Sequence, residues 1–123
     1  MRQTKILPRI TSIILLTVLA ACAEVIEKSL TNEVLVVSAP VNNLISRDSL
    51  QTFHWDILPD AKSYQLQIVS PKFDSIATFI TDTNVSTNLF LLHLGAGSYQ
   101  WRVRATNLSS STKYSEVRDL TIK

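Results

Sequence analysis

Residues 34–123 are expected to form an all-β fold, a seven-stranded antiparallel β-sandwich. Three observations predict it. Runs of alternating polarity recur along the chain, and the clearest is Gly97-Ser-Tyr99-Gln-Trp101-Arg-Val103-Arg-Ala105, with aromatic or apolar residues at the odd positions only. Clusters of Asn, Asp, Ser and Pro separate the runs, and these are turn formers. Nothing in this stretch repeats with the 3.6-residue period of a helix, so the elements must pack as sheet on sheet.

The first strand is expected over residues 34–37, a β-branched and leucine run that Ala39-Pro40 closes. Val41-Asn42-Asn43 is a turn, and Leu44 and Ile45 are expected to touch the core before the loop Ser46-Arg47-Asp48. The second strand covers 50–55. Phe53 and Trp55 share one face, and Gln51 falls on that face at the expected rim of the sandwich. The third covers 63–69, with Tyr64, Leu66 and Ile68 inward and Gln65 and Gln67 outward. Ser70-Pro71-Lys72 is read as a turn, 75–81 as a short strand, and Asp82-Thr83-Asn84 as another turn. Residues 85–92 form the fifth strand in one of two registers, with either Leu89 and Leu91 or Phe90 and Leu92 facing in. Residues 97–105 are the central strand. A polar loop over 107–113 follows it, and 114–122 closes the sheet with Leu120 and Ile122 on one face.

The first 33 residues are different. Arg2, Lys5 and Arg9 precede an apolar run over 10–21, and the small residues Ala20 and Ala21 end it. That is the order of a secretory signal, and about a dozen residues fall short of the ~20 that span a bilayer. Without those three charges, the 12 basic residues fall to nine against 10 acidic ones, so the net charge of +2 becomes −1. The basic balance therefore belongs to a targeting segment, and no nucleic-acid partner is expected. The single cysteine, Cys22, excludes a disulfide framework within the chain. Residues 23–33 carry no strong period and are read as a tether.

Leu19-Ala20-Ala21-Cys22 resembles the lipobox of bacterial lipoproteins. The resemblance implies a signal peptide over 1–21, lipidation of Cys22, and a tether at 22–33 holding the domain at a bacterial cell envelope. Ala23, in place of an Asp, favours the outer membrane. Several acyl chains anchor stably where one is marginal.

Residues 34–123 resemble a fibronectin type III domain. Trp55 matches the family's core Trp on its second strand, and Tyr64 the Tyr of its third. Leu94 and Tyr99 resemble its tyrosine corner, with one residue fewer between them. Trp55-Asp56, residues 61–68 and residues 97–105 are similar to type III-like modules of Bacteroidota lipoproteins. The Cys…Trp…Cys pattern of a true immunoglobulin domain is absent, as is an Arg-Gly-Asp tripeptide. The family's topology puts its third and sixth strands side by side. Gln65, Gln67, Gln100, Arg102 and Arg104 would then form one outward patch, suited to an acidic or carbohydrate partner. Asp48-Ser49-Leu50 and Asp74-Ser75-Ile76 resemble the Asp-Ser/Thr-apolar sequon for O-glycosylation of exported Bacteroidota proteins, which marks Ser49 and Ser75.

Catalysis is not expected. Asp48, Asp56, Asp60, Asp74 and Asp82 all fall in predicted turns, and His54 and His93 lack metal-ligand spacing. No glycine-rich phosphate loop is present, and no cofactor or metal is expected. Two function classes remain. One is a binding or adhesion module whose partner is a glycan or another envelope protein. The other is an accessory subunit docking on a larger envelope complex such as glycan-uptake machinery.

Overall fold

The computed structural model describes residues 27–123. The expected signal segment over 1–21 and Cys22 lie outside the described residues. Eight strands form two sheets: β1 (Val37–Ala39), β3 (Leu50–Trp55) and β6 (Leu89–His93) in one, in the order β1-β3-β6. The other has the order β2-β8-β7-β4-β5, with β2 at Leu44–Ser46, β4 at Ser63–Lys72, β5 at Ser75–Val85, β7 at Gly97–Thr106 and β8 at Arg118–Ile122.

The central alternation is realised as the sequence reads it. Tyr99, Trp101, Val103 and Ala105 of β7 are buried, and Gln100, Arg102 and Arg104 between them are half-buried on the outer face. Tyr64, Leu66 and Ile68 of β4 join them in the core, opposite Phe53 and Trp55 of β3. Phe53 meets Trp101 edge-on, with ring centroids 5.2 Å apart and planes at 82°, and Trp55 lies 5.5 Å from Tyr64. Such aromatic pairs add to plain area burial. The Tyr99 hydroxyl donates to the Gly95 carbonyl at 2.7 Å, so the corner forms despite its shorter spacing. Gln51 does point inward and is 6% exposed; its amide nitrogen is satisfied by the Asp48 carbonyl at 2.9 Å.

Several boundaries move. The first ladder is made by Val37–Ala39, not by 34–37. Upstream of it Leu35 is buried while Val34 and Val36 face solvent, so the continuous apolar run serves only one buried face. Residues 44–46 are an eighth strand, paired in parallel with β8 through Leu44↔Leu120. Three residues are too few to show a period.

The proposed turns at 70–72 and 82–84 are strand instead. β4 runs on to Lys72 and β5 covers 75–85, with Gln67 opposite Asp82 and Pro71 opposite Ile76. Past Val69, β7 no longer flanks β4, so Pro71 forfeits no bond there. β5 is an edge strand, where polar turn formers keep one side in water. β6 begins at Leu89, with Phe90 and Leu92 against the core and Leu89 and Leu91 outward. β8 begins at Arg118 rather than at Tyr114. The preceding residues are held to β7 irregularly, by Ser115 N to Val103 O at 2.8 Å and Thr112 N to Ala105 O at 2.9 Å.

The described part of the stretch assigned to a tether, 27–33, is packed on the sandwich. Leu30 is fully buried in the core cluster, and its amide donates to Ser110 Oγ at 2.8 Å.

Candidate functional site

The antiparallel register of β4 and β7 sets Gln65 opposite Arg104, Gln67 opposite Arg102, and Val69 opposite Gln100. All five residues of the expected patch therefore lie on one outer face. Four of them are joined in two arginine–glutamine pairs. Arg104 reaches Gln65 Oε1 from Nε at 3.0 Å and from Nη2 at 2.7 Å, and Arg102 Nε donates to Gln67 Oε1 at 2.8 Å. Gln67 is only 8% exposed and functions as a buried acceptor. Gln65 Nε2 donates to Asp82 Oδ1 at 2.9 Å and Gln100 Nε2 to Asp119 Oδ1 at 2.8 Å. Two carboxylates thus flank two guanidinium groups, and the face is close to neutral.

Four participants escape the sequence reading: Phe73, Tyr114, Asp82 and Asp119. The Arg102 guanidinium lies 4.2 Å from the centroids of both the Phe73 and the Tyr114 rings, and Arg104 lies 4.7 Å from that of Tyr114. These are cation–π distances. Phe73 is pinned in the β4–β5 turn, its amide donating to Gln100 Oε1 at 2.9 Å. Neither ring belongs to a strand, so strand parity carries no signal for them. Asp82 and Asp119 are turn formers by composition that fall in strands.

Tyr114 also lines an open cleft of about 640 Å³ between the N-terminal segment and the segment leading into β8. Glu33, Val34, Val36, Glu116 and Arg118 line it as well. Arg118 staples its floor, donating to the Val37 and Pro40 carbonyls at 3.1 Å and to Glu116 Oε2 at 2.7 Å. The patch and the cleft share Tyr114, so a polar and aromatic patch adjoins a cleft that Val34, Leu35, Val36 and Val37 give an apolar wall.

On the opposite sheet the outer face carries Leu50, Leu89 and Leu91, each exposed by 41–51%. Leu89 sits across from His54 and Leu91 across from Thr52.

Ser49 and Ser75 are both exposed, Ser49 Oγ lying 3.2 Å from His93 Nδ1 and Ser75 opening β5. Among the described residues, no group of three or more His, Cys, Asp or Glu is placed to hold a metal ion.

No family model and no curated protein matches the chain. Solved structures do. A fibronectin(III)-like module of Clostridium thermocellum CbhA aligns with a TM-score of 0.53 at 9% identity, over 72% of this chain and 95% of that one. The fibronectin type III domain from human KIAA0970 protein aligns at 0.53 and 18% identity, over 78% of this chain and 76% of that one. That of human fibronectin type III domain containing protein 3 gives 0.51 and 16%, over 77% and 89%. The chain has a fibronectin type III-like fold.

Proposed function

We propose that the chain is a membrane-anchored cell-envelope lipoprotein carrying one non-catalytic binding module. Cys22 bears the lipid, and the outer membrane is its location. The observation that carries the binding role is the surface in which Arg102, Arg104, three glutamines and Tyr114 adjoin an open cleft. Aromatic rings beside amide and guanidinium donors suit a carbohydrate, and the flanking Asp82 and Asp119 weigh against a strongly acidic ligand.

The test is retention of the membrane-extracted lipoprotein on a glycan array, with its melting temperature followed in parallel. Arg102→Glu with Arg104→Glu abolishes retention on this reading. Arg102 lies against two rings and Arg104 against one, so Arg104→Glu is the milder variant and is read together with its melting temperature. Retention that survives Arg104→Glu at unchanged melting temperature removes this face from the binding role. Cys22→Ser moves the protein out of the detergent phase. The intact mass of the unsubstituted lipoprotein reads whether a glycan adds to the lipid adduct, and its loss in Ser49→Ala or Ser75→Ala locates it.

A second reading has its own support. Leu50, Leu89 and Leu91 form an exposed apolar strip, the kind of surface that marks protein contacts. On that reading the protein is an accessory subunit, and a single partner complex copurifies with it. Loss of that partner on Leu89→Lys with Leu91→Lys separates the two.

A further inference from the structure

The N-terminal segment leaves the fold at a defined place. Asn107 Nδ2 donates to the Lys28 carbonyl at 2.9 Å, and Ser109 Oγ to Glu27 Oε1 at 3.1 Å. Leu30, seated in the core, fixes the segment behind them. The exit therefore lies at the pole built by loops 56–62 and 107–111, which Asn107 ties together through the Asp60 carbonyl at 3.3 Å. From Cys22 to Glu27 the chain takes only five steps, a reach of roughly 18 Å when fully extended. The ten residues of β7 alone extend about 33 Å. A lipid on Cys22 therefore holds this pole at the bilayer and leaves the β4–β5 turn at the far end.

The same pole carries apolar side chains that the fold does not use. Leu108 at 90% and Ile57 at 72% are two of the three most exposed large hydrophobics among the described residues. Leu108 is not on a slack loop. Asn107 Oδ1 accepts from the Ser109 amide at 3.1 Å and from the Ser110 amide at 2.9 Å, which orders the turn that presents it. The exposed Lys28 and Lys62 lie at this end, with Glu27, Asp56 and Asp60 among them.

We infer that this pole is a membrane-contacting surface, with Leu108 and Ile57 seated in the interfacial region of the leaflet that holds the Cys22 acyl chains. The inference rests on the reading that Cys22 is lipidated. Apolar loop tips gain by entering the headgroup boundary once an anchor has brought them there.

The test uses the full lipidated protein, extracted from membranes and reconstituted into phosphatidylcholine–phosphatidylglycerol vesicles. Leu108→Cys and, at the far pole, Ile76→Cys each receive an NBD fluorophore; the alkylated Cys22 does not react. Nitroxide-bearing lipids are expected to quench the label at 108 strongly and to leave the label at 76 unchanged. Equal quenching at both positions overturns the inference. So does a label at 108 that remains in water, or one that is shielded yet untouched by the lipid nitroxide, since the latter places a protein there. Absence of a lipid adduct from the mass of the starting protein overturns the lipidation reading instead.

Discussion

Trp55 is one of the two fully buried tryptophans of the core. It packs on Tyr64 across the two sheets. Trp55→Ala is expected to cost ~3–5 kcal/mol, read as a lower urea midpoint, which is a large share of a small domain's stability. Tyr99→Phe tests the corner. It removes one hydroxyl bond to the Gly95 carbonyl and keeps the ring, so about 1 kcal/mol is the expected loss. An unchanged midpoint makes that bond an accessory of a ring already held by packing. Both residues are legible in the sequence because a large side chain on a strand of clear parity has only one face to occupy. The satisfaction of Gln51 is not legible, since its partner is a backbone carbonyl three residues back. Phe73 and Tyr114 are hidden for a related reason: they lie outside the strands, and only the folded chain brings their rings to Arg102.

At the level of elements, β3, β4 and β7 follow from alternation, while β6 does not. Both parities of Leu89–His93 are apolar, so the local pattern is degenerate. Its neighbour decides. Pairing with β3 places Phe90 beside the buried Phe53 and Leu92 beside the buried Gln51, which turns both inward. Phe90→Ala should therefore destabilise by about 2 kcal/mol, since the side chain is half-buried. Leu91→Ala should stay within roughly 0.5 kcal/mol. Parallel urea titrations of the two variants compare them, and the reverse order means the strand sits in the other register. β4 and β5 outrun their expected ends because Pro, Asp and Asn signal turns only where no neighbouring strand supplies a ladder.

For the molecule as a whole, the fold includes residues that carry no sequence signal. Leu30 lies in a stretch without periodicity, and the folded sandwich gives it a place in the core. Leu30→Ala is expected to cost ~2–5 kcal/mol in thermal or urea unfolding, and a chain beginning at Val34 should be weakened similarly. Equal stability with and without residues 27–33 means that the segment only rests on the surface. The contacts that lock this segment and β1 into place span 78 to 81 residues: Leu30 to Ser110, and Arg118 to the Val37 and Pro40 carbonyls. None can form until its later partner, Ser110 or Arg118, has been synthesised. Loop closure over such separations is slow, so the all-β topology delays folding into the range of roughly milliseconds to seconds. Residues 27–118 are therefore made before these contacts can lock the fold. On the proposal that the chain is exported, that delay is an advantage, because a chain still unfolded is the form that can be threaded across a membrane.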